Sequence, residues 1–409
     1  MTISTLPRPF QDLAWANLAA QSAEQVSLAA VPIVAVMALG AGPGEIGLLS
    51  AAQSLPFLLL SIPAGLLVDR WSRRKLMVLA EAVRALSLLG LLLATAGGWL
   101  SVWGLALLGF VGATGTVGFS VAAPAMVPTL VPRESLAAAN GRLELARSAA
   151  FAGGPAGAGA LVGWAGAPSA FVLATVLSVA AVVLMLRLPE PVRSNAAQRE
   201  VWHDLRDGAL FVWRHQLLRP VLLTSVAWNI AWFVLQAVYV PWAMKQLGLD
   251  AGAVGVTLAC YGAGMVLGAM LASRVLRAVP FGRAVGLGPF TSVLASSVML
   301  ATIIWPNGAL AATSFFLFGA GPILWTITQL TLRQTVTPGA KLGQVSAIFM
   351  TVNTGIRPLG ALLGGAVGEA FGTPACLGLS TVMFVVQAML IVRSPVWRLK
   401  ALPQHHDSP

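Results

Sequence analysis

Charge is scarce in this chain. Only 10% of its 409 residues are Asp, Glu, Lys or Arg, against 57% apolar residues, and its mean hydropathy is +0.82. A soluble domain carries about 25% charge, so the shortage excludes a water-soluble globular protein. Cysteine is nearly missing as well. Cys260 and Cys376 are the only two; they lie inside apolar runs in different halves, where a thiol acts as a small apolar side chain and implies no disulfide or metal framework. The histidines are His203, His215, His405 and His406, all outside the apolar runs and without the two-His-plus-acid spacing of a metal site. No Gly-x-x-x-x-Gly-Lys-Ser/Thr stretch is present, which argues against ATP-driven transport. No enzyme chemistry, metal or cofactor is expected. No short apolar core with a small-residue cleavage site opens the chain, so its first apolar run is expected to direct insertion.

What is there is apolar sequence in blocks. Twelve runs reach the ~20 residues needed to cross a hydrocarbon core of ~30 Å, at 13–39, 45–68, 76–97, 101–127, 139–164, 167–187, 219–245, 251–274, 283–305, 308–332, 343–368 and 373–394. Backbone groups in lipid must be satisfied within their own segment, so each run is expected to be a helix and the fold class all-α. The cations follow a pattern along this path. Arg8, positions 70–75, Arg133 and Arg142, 187–219, 274–283, Arg333 and Lys341, and 393–400 fall on one side, and Lys245 alone on the other. This is the positive-inside signal, which predicts a multi-pass protein of the cell membrane with both termini in the cytoplasm. The net charge of +11 reads as topology and contact with anionic lipid, not as nucleic-acid binding.

The two halves repeat one another. Val31-Pro32, Leu39-Gly40 and Gly47 answer to Val240-Pro241, Leu247-Gly248 and Gly255, and an offset of 206 pairs Pro132 with Pro338, Gly154 with Gly360, Gly159 with Gly365, Gly166 with Gly372 and Pro168 with Pro374. The expected domains are a six-helix bundle over 1–188, a linker over 189–218 and a second six-helix bundle over 219–409. In the linker, Trp202, Leu205, Leu210, Phe211 and Trp213 alternate with Arg199, Asp204, Arg206, Asp207 and Arg214, which predicts an amphipathic helix along the cytoplasmic face.

Between the second and third runs, positions 65–75 read Gly-Leu-Leu-Val-Asp-Arg-Trp-Ser-Arg-Arg-Lys. This Gly-x-x-x-Asp-Arg-x-x-Arg-Arg-Lys pattern resembles the signature loop of the major facilitator superfamily of transporters, with Ser72 where the family usually has glycine. The phrases Ser27-Leu28-Ala29-Ala30-Val31-Pro32, Leu130-Val131-Pro132-Arg133-Glu134 and Pro358-Leu359-Gly360-Ala361-Leu362-Leu363-Gly364-Gly365 look like its drug-and-siderophore exporter branch. The resemblance implies twelve transmembrane helices in two pseudosymmetric six-helix bundles, with the substrate near the midplane between them. It also implies that Gly65, Asp69, Arg70, Arg73 and Arg74 form a latch, the acid and arginines contacting the opposite half. Read from the residues alone, Asp69 is a helix cap and the cations are topological charge. Gly141, Gly154, Pro155 and Gly159 in the fifth run match a glycine-proline motif associated with antiporters, although tight helix packing would explain them too.

Glu24 stands ~18 Å along the first run from Asp12, near the middle of the hydrocarbon core. A carboxylate is costly there, which makes Glu24 the candidate for proton coupling, with a fixed ion pair as the bland alternative. Arg357 in the eleventh run counts to a similar depth and is expected to be the only cation so deep, either the partner of Glu24, a structural counter-ion or a contact to an anionic substrate. Glu81 and Arg84 are expected nearer the cytoplasm as a self-neutralising i,i+3 pair. Asn229, Trp232, Phe233 and Gln236 share one helical face of the seventh run, and Trp325 could extend it. The resemblance turns that face to the substrate; plain packing is the other reading. Trp99, Trp103, Trp164 and Trp305 near run ends suit the interfacial belt.

The expected function is a monomeric secondary exporter that moves a small amphipathic molecule by alternating access in exchange for protons. A uniporter or importer is the second reading. A membrane receptor or lipid-handling scaffold of the same fold is the third.

Overall fold

The computed structural model describes residues 7–132, 135–190 and 201–403, without the side chains of Leu66, Val68, Asp69, Arg70, Ala137, Ala340 and positions 201–204. The described residues form fourteen α-helices: α1 Arg8–Leu39, α2 Pro43–Arg70, α3 Arg73–Ala96, α4 Val102–Leu130, α5 Leu136–Ala165, α6 Ala167–Leu186, α7 Val201–Arg214, α8 Leu218–Lys245, α9 Ala251–Ala278, α10 Phe281–Ala301, α11 Gly308–Val336, α12 Leu342–Gly355, α13 Arg357–Phe371 and α14 Thr373–Val392. Ten are long and apolar enough to cross a membrane. The other two crossings are α5, which carries Arg142, Glu144 and Arg147 in its first half, and the α12–α13 pair. The eleventh run, expected unbroken, is interrupted at Ile356. Pro358 has no N–H to return to the preceding turn, so the ladder breaks beside it.

The twelve crossings form two bundles of six, α1–α6 and α8–α14, and the repeat seen in sequence reappears in their geometry. In the first bundle α1 packs on α5 and α6, and α3 on α4 and α6; in the second, α8 packs on α13 and α14, and α10 on α11 and α14. Matched glycines share a left-handed backbone: Gly40 and Gly248 have φ of 67° and 64°, Gly166 and Gly372 of 82° and 81°. Glycine alone takes these values without strain, so the repeated glycines end equivalent helices in equivalent ways.

The bundles meet unevenly. One apolar core spans both, built from the halves of the helices farthest from the arginine-rich loops: Val26, Ile33 and Phe171 from the first bundle pack in it with Leu235, Tyr239 and Phe384 from the second. At the basic end the cores are separate, one around Phe10, Met77 and Met126, the other around Leu218, Val285 and Phe349. Two glycine crossings seal the joined end. A Cβ on Gly47 of α2 would lie 2.6 Å from the Ala361 carbonyl oxygen on α13 and 2.7 Å from Gly365 Cα. One on Gly255 of α9 would lie 2.5 Å from the Pro155 carbonyl oxygen on α5 and 2.8 Å from Gly159 Cα. These crossings are pseudosymmetric copies, since Gly47 repeats as Gly255 and Gly159 as Gly365. Lys245 adds a polar tie at the same end, its Nζ donating to the Gly40 and Ala41 carbonyls at 3.1 and 3.3 Å. Those carbonyls end α1, where the helix dipole favours a cation.

Candidate functional site

Arg84 is the hub of a buried polar cluster in the first bundle. Its guanidinium forms a two-pronged ion pair with Glu81 one turn back on α3, and donates to the Ala20 carbonyl of α1 at 3.0 Å and to Thr116 Oγ1 of α4 at 3.3 Å. Gly115 lets α4 come this close, because a side chain there would strike the Ala80 carbonyl. Ser178 on α6 donates to Glu81. The fourth partner is Glu24 on α1, whose Oε2 lies 3.8 Å from Arg84 Nη1. Glu81 is fully buried and Glu24 is 20% exposed, so two acids share one guanidinium and only one of them reaches open space.

The i,i+3 pairing of Glu81 with Arg84 is the expected one; the correction is that Arg84 also reaches Glu24, so Arg357 is not the cation that pairs with this acid. Glu24 is 16 residues into α1 and Arg84 is 11 residues into α3, ~24 and ~16 Å by helical rise. The long arginine side chain spans the difference. Arg147 on α5 also reaches this level; paired with Glu144, it sits over the Phe151 ring at 5.6 Å. Among the described residues the one ion pair Glu24 makes is with Arg84. The sequence signal for Arg147 was the i,i+3 acid–arginine spacing at 144 and 147, the same as at 81 and 84.

Across the bundle interface, Arg357 makes no ion pair among the described residues. Its Nε donates to Asn229 Oδ1 of α8 at 3.4 Å, and its guanidinium lies 5.7 Å from the centre of the Phe233 ring. Asn229 anchors itself by donating to the Ser225 carbonyl at 3.0 Å. The polar-aromatic stripe on α8 therefore splits in two. Asn229 and Phe233 face Arg357 on α13, whereas Trp232 stacks on Trp228 at 5.4 Å and meets Tyr261, Phe315 and Phe318. Consecutive residues on a helix diverge by about 100°, so one stripe serves two neighbours. Trp232 and Trp325 are buried, Trp325 in the separate core of the second bundle; Gln236 is half-buried on α8. Tyr261 on α9, which the sequence did not single out, touches Trp232 and the Phe151 ring of α5.

Within the signature loop, α2 continues to Arg70, and the cap at this turn is Ser72, whose Oγ accepts from Lys75 N at 3.3 Å to start α3. Asp69 and Arg70, expected in the latch, have side chains outside the described residues, as do Arg133 and Glu134. Arg73 donates to the Ala125 carbonyl at 2.7 Å and Arg74 to the Leu188 carbonyl at 3.0 Å. Both acceptors belong to the first bundle; among the described residues no hydrogen bond or ion pair links Arg73 or Arg74 to the opposite half, and the bundles have separate cores at this end. Gly65 has open space around it. Of the fifth-run motif, Gly141 is unobstructed, Gly154 lets α1 approach so that a Cβ would be 2.5 Å from Gln25 Cβ, and Pro155 and Gly159 form the crossing with α9.

Similarity to known proteins follows the same outline. The chain is 28% identical over 384 residues to the uncharacterized transporter y4rN of Sinorhizobium fredii, covering 90% of each. It is 26% identical over 405 residues to the multidrug efflux pump Tap of Mycobacterium tuberculosis, covering 95% of this chain and 94% of Tap. Among solved structures, the nucleoside transporter NupG superposes with a TM-score of 0.75 at 12% identity, over 94% of this chain and 98% of NupG. A bacterial ferroportin homologue in an inward-facing state superposes with a TM-score of 0.72 at 15% identity, over 94% of this chain and all of that one. Residues 13–361 match the sequence model of the Major Facilitator Superfamily, and a match of that extent over two six-helix bundles places this chain in that superfamily of membrane transporters.

Proposed function

We propose that this transporter is a secondary exporter of a small amphipathic molecule, driven by proton entry through Glu24. The observation that carries the reading is the sharing of Arg84 by two acids. Glu81 neutralises Arg84 whether or not Glu24 is charged, so Glu24 can gain and lose a proton without stranding a buried cation. Its partial exposure gives that proton a route. Across the interface Arg357, with Asn229 and Phe233, offers a polar and aromatic surface to a substrate. Export is the direction suggested by relatives named as efflux proteins, Tap among them and, at 23% identity, macrolide efflux protein A of Streptococcus pyogenes.

The positive-inside pattern supports a cytoplasmic basic end and a cell-membrane location. With that orientation, the core shared by the bundles lies toward the outside and the arrangement is inward-facing. The Gly65 to Arg74 latch would then close only when the basic ends approach, Asp69 and Arg70 among its parts. The division into bundles at 1–188 and 219–409, joined through 189–218, and a monomeric unit belong to the same reading.

The test begins with an efflux screen of expressing cells against dyes, antibiotics and siderophores to supply a substrate. Proteoliposomes loaded with a pH-sensitive dye then report proton movement on substrate addition. Glu24→Gln is expected to abolish that signal while downhill substrate exchange survives in part, because an amide holds no exchangeable acid proton. A variant that still moves protons in step with substrate would exclude Glu24 as the coupling site.

A further inference from the structure

At the basic end of the second bundle, α7, His215 and the short 3-10 turn Gly339–Lys341 border an open pocket of about 490 Å³ lined by Asp207, Leu210, Phe211, Arg214, His215 and Lys341. We propose that this pocket binds the headgroup phosphate of an anionic phospholipid from the adjoining leaflet.

The lining is suited to a phosphate. Arg214 and Lys341 outnumber the single acid Asp207, and Lys341 Nζ is held 5.1 Å from the centre of the Phe211 ring. His215 supplies a further donor. Its Nδ1 accepts the backbone N–H groups of Leu217 and Leu218 at 3.1 and 3.3 Å, so its own ring proton is on Nε2. The ring also leans on Phe211, 5.5 Å between centres.

The surroundings are suited to a lipid in particular. Leu210 and Trp213 on α7 are 45% and 53% exposed, and Arg219 covers the Trp213 ring at 4.5 Å. An amphipathic helix with apolar side chains and arginines on its outer surface lies at the headgroup boundary. There a soluble anion has no use for Leu210 and Trp213, whereas an acyl chain does. The pocket is also rigidly seated, since Gly208 brings α7 against α12 so closely that a Cβ would be 3.0 Å from Gln344 Cβ. A bound lipid would thus bridge the linker helix and the eleventh crossing.

Native mass spectrometry of the full-length protein in detergent, with equimolar phosphatidylglycerol and phosphatidylcholine of the same acyl chains, tests this. Wild type is expected to retain phosphatidylglycerol over phosphatidylcholine by about tenfold, the scale of one or two cations acting on an anionic headgroup. The Arg214→Gln/Lys341→Gln double variant should retain the two lipids equally. An Arg274→Gln/Arg277→Gln control, on exposed cations at the basic end of α9, should keep the preference. Lys341→Gln alone, checked for a wild-type melting curve, separates loss of the site from loss of the fold and should weaken the preference. Equal retention by wild type, or a preference unchanged in the double variant, would overturn the proposal. So would loss of phosphatidylglycerol on adding millimolar inorganic phosphate, which would assign the pocket to a free anion.

Discussion

Glu24 and Glu81 are the same residue type beside the same guanidinium, and their surroundings separate their roles. Glu81 is sealed among α3, α6 and Arg84, and removing it strands a buried cation, so Glu81→Ala is expected to lower stability by roughly 3–5 kcal/mol. Glu24→Gln leaves Arg84 paired with Glu81, and the expected loss is below about 1 kcal/mol. Thermal melting of the two purified variants distinguishes them, and equal losses would mean that the acids hold Arg84 jointly. Glu24 was legible in the sequence because a lone carboxylate deep in an apolar run is rare. Its partner was not, because position along one helix does not reveal how far an arginine on another helix reaches across.

Helix junctions show how much of an element its ends decide. His215 caps the start of α8 by accepting from Leu217 and Leu218, which only a neutral imidazole can do. Burial pushes its pKa below the ordinary value of 6.5. The contribution is fully present above the unfolded value of about 6.5 and is lost as pH falls through the lower folded value. Compared with His215→Phe, which keeps a ring against Phe211, wild type should be more stable by about 1 kcal/mol at neutral pH. That advantage should shrink in mildly acidic buffer, as read from melting midpoints at the two pH values. A gap independent of pH would exclude the capping role. The amphipathic α7 was legible from its alternation of tryptophan and charge. The break at Ile356 was not anticipated, although Pro358 was in plain view, because proline is tolerated inside many of these helices, Pro32 and Pro241 among them.

At the scale of the whole molecule, the joined end is held by backbone-to-backbone crossings with no room for a side chain. Gly47→Ala and Gly255→Ala should each overpack that end by roughly 1–3 kcal/mol and shift the population toward states in which it opens. Ala41 lies fully buried there, beneath the Lys245 tie. In a background with Cys260 and Cys376 replaced by serine, a cysteine placed at Ala41 should be alkylated faster when either glycine is replaced. An unchanged rate would mean that the crossings absorb the methyl group without opening. The pseudosymmetry predicts comparable effects from both substitutions, one in each bundle.

The sequence by itself determined the class, the twelve crossings and the two-fold repeat, because a bilayer admits few solutions: each apolar run must be a helix of about the bilayer's thickness, and repeated Gly and Pro must end or bend equivalent helices alike. The tertiary structure alone decided which charges meet. Arg84 rather than Arg357 is the cation paired with Glu24, Trp232 and Phe233 face different neighbours, and Arg73 and Arg74 hydrogen-bond within their own bundle. Those outcomes depend on how far helices approach and where the bundles separate, which is set by contacts between residues distant in the chain and leaves no periodic trace along it.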